Sequence, residues 1–167
     1  GQEQLVRDTR ITQIYEGTNG IQSLDLMGRK VAANGGKFYE IFAEEVAEFI
    51  EAEAGNAEIA PFIKSLSAAL ERLSDTTEYV LNSVKGDANA VGAASVEYLE
   101  LFGLTAYAYM WAKMAKVASP KTADEFYTAK VNTAKFFFNR LLPKTVSLAE
   151  SIRSGSEDMM SLTAEQF

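Results

Sequence analysis

The 167-residue chain has no cysteine and no histidine. That removes disulfides, Cys or His metal sites, thiol nucleophiles and every triad that needs an imidazole base; only carboxylates, hydroxyls and lysines remain for catalysis. Positive charge is also scarce. Sixteen Lys and Arg stand against 23 Asp and Glu, a formal net charge of −7, and without a clustered basic stripe a nucleic-acid surface is not expected. No apolar run reaches the ~20 residues of a membrane span. The start Gly1-Gln2-Glu3-Gln4 carries neither a signal-peptide core nor an initiator Met, so the expected compartment is the cytoplasm, or the mitochondrial matrix in a eukaryote. Together with a motif that begins within the first residues, this start suggests a piece of a larger polypeptide.

What the chain does have is helical periodicity. Its 47% apolar and 23% charged residues are those of a globular protein. After Gly35-Gly36, a helix from about residue 37 to 54 places Phe38, Ile41, Phe42, Val46 and Phe49 on one face, and Glu40, Glu44, Glu45, Glu48 and Glu51 on a solvated one. Those carboxylates have no Glu-x-x-His pairs and do not make a di-metal set, so no metal site is expected. A helix from about 60 to 85 carries the seam Phe62, Leu66, Leu70, Leu73, Thr77, Val80 and Val84. Another, from about 88 to 118, carries Val91, Ala94, Tyr98, Leu101, Thr105, Ala108, Ala112 and Ala115. Phe102, Tyr107, Tyr109 and Trp111 thicken its apolar band as core packing rather than as a cofactor box. A last helix, capped by Thr122, spans about 123 to 152 with Tyr127, Val131, Ala134, Phe138, Leu141, Leu148 and Ile152 in register. Pro143 should kink it near residues 139–142. Met159, Met160, Leu162 and Phe167 should fold back on the bundle.

One stretch looks built for chemistry. In Ile14-Tyr15-Glu16-Gly17-Thr18-Asn19-Gly20-Ile21-Gln22 a carboxylate precedes a Gly-rich turn, and from Ile21 apolar residues recur at helical spacing up to the Asn34-Gly35-Gly36 stop. Glu16 would sit just ahead of a helix N-terminus, where backbone N–H groups lack intrahelical partners and Thr18 or Asn19 can cap. Such a turn suits an anion such as phosphate. On spacing alone, a capped helix start beside a solvated carboxylate explains it more simply.

The sequence around that turn is more specific than the spacing. Arg7-Asp8-Thr9-Arg10-Ile11-Thr12-Gln13, then IYEGTNGIQ, then Leu24-Asp25-Leu26-Met27-Gly28-Arg29-Lys30 resembles the C-terminal signature of the acyl-CoA dehydrogenases. The likeness covers roughly residues 2–30. More loosely, the later chain resembles the extra helical domain that ends the longer members. The resemblance implies α,β-dehydrogenation of an acyl-CoA thioester, with Glu16 as the base that takes the α-proton and hydride passing to FAD. It implies Gly17, Thr18 and Asn19 as cofactor contacts, and acyl-CoA, electron-transfer flavoprotein and a second copy of the chain as partners. Gly20 departs from the pattern, where many members carry Gln or Glu. A carboxylate suits the task, since desolvation raises its pKa towards working pH.

The expected fold is all-α, an antiparallel up-down four-helix bundle preceded by an N-terminal lead-in and the motif helix. Residues 1–35 would be the tail end of a catalytic helical domain and residues 36–167 a C-terminal helical-bundle domain. The chain by itself should not turn over. The competing expectation is a helical interaction or oligomerisation module with no catalytic role.

Overall fold

The computed structural model describes residues 1–14 and 18–166. The described residues form an all-α structure with no strand. Helix α1 is Gln2–Thr9, extended by a 3-10 turn over Arg10–Gln13. Helix α2 begins as Thr18–Leu24 and runs on as π-helical backbone over Asp25–Val31 and a 3-10 turn over Ala32–Asn34. Then come α3 (Lys37–Ala52), α4 (Ala60–Ser83), α5 (Ala90–Ala118), α6 (Glu125–Phe136), a π-helical turn over Phe137–Leu141, α7 (Lys144–Arg153) and a short α8 (Glu157–Met160).

The longest helix, α5, is the common partner of α2, α4, α6 and α7. Its buried residues explain why. Ala94, Ala108, Ala112 and Ala115 let neighbouring backbones come close, while Tyr98, Leu101 and Thr105 fill the middle, all at the threes and fours expected of the sequence. The α4 seam is likewise buried from Phe62 to Val80, with Ile63, Ala69 and Thr76 broadening it. Two apolar clusters result. One joins Leu66, Leu70, Ala108, Ala112, Phe137 and Phe138; the other joins Met27, Val31, Leu73, Tyr98, Leu101 and Ile152. The aromatics of α5 serve this packing, with Phe102 4.7 Å from Phe42 between ring centres and Tyr109 5.3 Å from Phe49. Tyr107 is the exception and lies largely exposed.

Pro143 acts as the sequence predicts. Lacking an N–H, it cannot continue the helix, and the chain widens before it: Leu142 N–H donates to Phe137 O, five residues back, at 3.0 Å. Pro143 then starts α7. The wide turn moves the inward position by one, so Leu142 is buried, Leu141 only half-buried, and the buried line continues through Thr145, Ala149 and Ile152.

Three expectations need correction. On α3, Phe38 and Ile41 are more than half exposed; Tyr39, Phe42, Val46, Phe49 and Ile50 turn inward, because the packing against α4 and α5 rotates the buried stripe towards Tyr39 and Ile50. Asp124, not Thr122, caps α6, its carboxylate accepting from Phe126 N–H at 2.9 Å. In the tail Ser156 donates to Asp87, but Met159, Met160 and Leu162 stay more than half exposed; α8, a four-residue helix, is too short to bury a face. The π-helical backbone of 25–31 has no counterpart in the sequence reading. Residues 1–14 bury nothing, in keeping with so short an apolar pattern.

Candidate functional site

The start of α2 is the part of the predicted site that the structure describes. Glu16 and Gly17 lie outside the described residues. Thr18 opens α2 and is half-buried; Asn19 and Gly20 are exposed, and a Cβ at Gly20 would meet nothing within 4 Å. The site's first turn is thus open to an approaching molecule.

The rest of α2 is anchored. Ser23 is buried and donates to Asn19 O at 2.7 Å. Met27 and Val31 are essentially inaccessible among the residues of α4, α5 and α7. At Gly28 an added Cβ would lie 3.5 Å from Val91 Cγ1, ordinary contact distance, so α2 lies close along α5. Burial of two large apolar side chains is worth about 3–6 kcal/mol in transfer terms. The C-terminal end is closed by Gly35, left-handed at φ 66, and by Gly36 N–H donating to Val31 O at 2.9 Å. Asp25 and Arg29 pair at 3.2 Å on the outer side.

An anchored helix with an open N-terminus offers unpaired N–H groups and the positive end of its dipole. Thr18 and Asn19 can therefore supply one edge of a site for an anionic or polar group. FAD fits these residues to that extent: the first turn is free of side-chain obstruction at Gly20, and Thr18 adds a hydroxyl. They do not surround a dinucleotide, and the cleft of about 620 Å³ between α5 and α6 is lined by no residue of α2.

The Glu-rich helix is more engaged than a wholly solvated face. Glu45 accepts a hydrogen bond from Tyr109 Oη at 2.9 Å. Glu53, at the end of α3, is buried and accepts from Lys116 Nζ and from Asn56 Nδ2 at 3.0 Å. The Lys116 hydrogen bond, then that of Asn56, holds the Glu53 carboxyl below its ordinary pKa. These are clamps between α3 and α5, and sequence spacing could not show them, because their members lie more than 60 residues apart. Glu40, Glu44, Glu48 and Glu51 are exposed. Among the described residues no group of three or more carboxylates is placed to hold a metal ion, and no helix is long and apolar enough to cross a membrane.

Residues 42–163 match the family described as "Acetyl-CoA dehydrogenase C-terminal like". A broad-specificity linear acyl-CoA dehydrogenase of Mycobacterium tuberculosis is 30% identical across 178 aligned positions, covering 99% of this chain and 29% of that protein. The 3-methylmercaptopropionyl-CoA dehydrogenase of Ruegeria pomeroyi is 35% identical over 147 positions, 85% of this chain and 25% of that protein. The butyryl-CoA dehydrogenase of Syntrophomonas wolfei is 27% identical over 161 positions, 90% of this chain and 26% of that protein. The chain thus spans less than a third of the length of the curated relatives it matches.

Proposed function

Because the chain belongs to the acyl-CoA dehydrogenase family, matching its C-terminal region, we propose that it is the C-terminal part of an enzyme that dehydrogenates an acyl-CoA thioester between its α and β carbons. Glu16 is the base: its carboxylate takes the α-proton. When bound, FAD supplies the acceptor for the hydride that leaves the β-carbon. Gly17, Thr18 and Asn19 line the flavin side, with the first turn of α2 offering backbone N–H groups and the Thr18 hydroxyl. The observation that carries this reading is the anchoring of α2. Met27 and Val31, buried against α5, hold the first turn of α2, the helix that follows Glu16 in the sequence.

In this reading residues 1–35 are the end of the catalytic helical domain and residues 36–167 the C-terminal domain, with α3 to α7 as an antiparallel up-down bundle around α5. Short connections and the shared partner α5 support that arrangement. Electron-transfer flavoprotein takes the electrons onward, the enzyme is a homo-oligomer in the cytoplasm, or in the mitochondrial matrix of a eukaryote, and this chain alone does not turn over. The alternative, an interaction module without catalysis, draws on one observation: Leu5, Val6, Ile11 and Ile14 are all more than half exposed.

The test is Glu16→Gln in the complete enzyme. The amide keeps the size of the side chain but cannot take the proton. Flavin content should persist while bleaching by acyl-CoA slows by at least the ~10²–10⁴ typical of a lost general base. Bleaching at near the unmodified rate would remove Glu16 from the role, and a colourless unmodified enzyme would favour the interaction module.

A further inference from the structure

Away from α2, the last turns of α5 and the start of α6 form an open cleft of about 620 Å³. Its walls are Met110, Met114, Val117, Phe126 and Tyr127. Met110, Val117 and Phe126 are at least half exposed, a large apolar surface to leave uncovered in one place. The spacing of Met110, Met114 and Val117 puts them on a single face of α5, and methionines adapt readily to an apolar occupant.

The charge at this cleft runs against that of the chain. In a protein of net charge −7, the charged side chains lining it are Lys113 and Lys130, and no carboxylate lines it. Lys113 donates to Tyr109 Oη at 3.1 Å, and its ammonium stands 4.7 Å from that ring's centre. The Lys130 ammonium stands 5.2 Å from the centre of the Phe126 ring. Neither pairs with a carboxylate among the described residues. Of the neighbouring acids, Asp124 is turned to Phe126 N–H, Glu53 to Lys116, and Glu45 reaches Lys113 only through the Tyr109 hydroxyl, at 2.9 Å from that oxygen. Both ammonium groups therefore border the apolar surface without a direct carboxylate partner among the described residues, Lys113 with a hydroxyl between it and Glu45.

We propose that this α5–α6 cleft binds a long-chain carboxylate, its hydrocarbon chain against Met110, Met114, Val117 and Phe126 and its head group between Lys113 and Lys130. The volume is that of a small-ligand site. The polar lining, two lysines with Gln2 and no nucleotide-sized set of donors and acceptors, matches a compact anion on an apolar chain and not a coenzyme A thioester. No residue of α2 lines this cleft, and the proposal does not depend on the role of Glu16.

The test is binding of dodecanoate to this chain, followed by displacement of a dansyl-labelled undecanoic acid, with dodecanol, dodecylamine and dodecanoyl-CoA as comparison ligands. Saturable one-to-one binding of dodecanoate is expected, at least tenfold tighter than dodecanol, with dodecylamine and dodecanoyl-CoA weaker still. The pair Lys113→Ala, Lys130→Ala should lose at least tenfold for dodecanoate and leave dodecanol unchanged. Met114→Asp should weaken both, with the helical circular dichroism retained. Equal affinity for dodecanoate and dodecanol, or no effect of the lysine pair, would overturn the proposal. So would light scattering that shows a dimer which Met114→Asp breaks and dodecanoate leaves intact, since a second copy would then cover the cleft.

Discussion

The hydroxyls of Thr77 and Tyr98 meet at 2.6 Å where α4 packs on α5, and neither residue is more than 1% exposed. Thr77 also donates to Leu73 O at 2.7 Å, so Tyr98 is the donor between them. The two partners are consequently not equivalent. Tyr98→Phe removes one bond and leaves Thr77 satisfied through Leu73, at a cost of about 1 kcal/mol. Thr77→Val keeps the volume but strands the Tyr98 O–H in the core, and should cost about 1–3 kcal/mol. Urea melts of the two variants check the order; a larger loss for Tyr98→Phe would reverse the donor assignment.

Burial drives the Tyr98 phenol well above its ordinary pKa of 10.0, more strongly than the Thr77 hydrogen bond lowers it, and Tyr39 is raised in the same way. A phenol raised in the folded state contributes its full stability below the unfolded pKa and loses it as pH rises past that value. Stability should therefore fall above pH 10, by up to about 1.4 kcal/mol per pH unit for each such group. Phenolate absorbance at alkaline pH should show Tyr98 ionising only with unfolding, and Tyr98→Phe should make the decline shallower.

Glu53 has the opposite sign. Its carboxyl is lowered below the ordinary 4.5 by Lys116 and Asn56, so its contribution is complete above that pH and disappears as pH falls through the lower folded value. Melts between pH 6 and pH 2 should show Glu53→Gln losing less on acidification than the unmodified chain. Parallel acid limbs would show that the clamp to Lys116 contributes nothing that titrates.

Leu70 is buried in the cluster shared by α4, α5 and the Phe137–Leu141 turn. Leu70→Ala should cost about 2–5 kcal/mol, the lost transfer energy together with the cavity left behind. A change below about half a kcal/mol in urea would contradict its placement.

This chain by itself should not hold FAD. The start of α2 supplies only one edge of a dinucleotide site, and association costs several kcal/mol that so few contacts cannot offset. Titration followed by flavin fluorescence should give no saturation; tight binding would reveal a complete cofactor site within the chain.

Much of the helical framework was legible before any coordinates. The stripe of α4 is unambiguous because that helix has one continuous apolar line at threes and fours, so the local period names the buried face; the buried line of α5 keeps the same spacing although Met110, Met114 and Val117 add a second, exposed apolar face. Gly35 and Pro143 mark helix boundaries by backbone chemistry alone, one by accepting a left-handed φ and the other by lacking an N–H. The motif around Glu16 pointed to the family through its residue order, which packing does not alter. Other features depended on what lies across the core. Helix α3 has apolar residues on two sides, and only its neighbours α4 and α5 decide that Tyr39 and Val46 go inward while Phe38 and Ile41 face solvent. Glu53 reads as one acid in an acidic helix until Lys116, 63 residues on, takes its charge. The cleft of Lys113 and Lys130 exists only because α6 returns along α5. Periodicity is a property of a segment, whereas burial and charge pairing belong to two segments at once, and that is why the tertiary structure had to settle them.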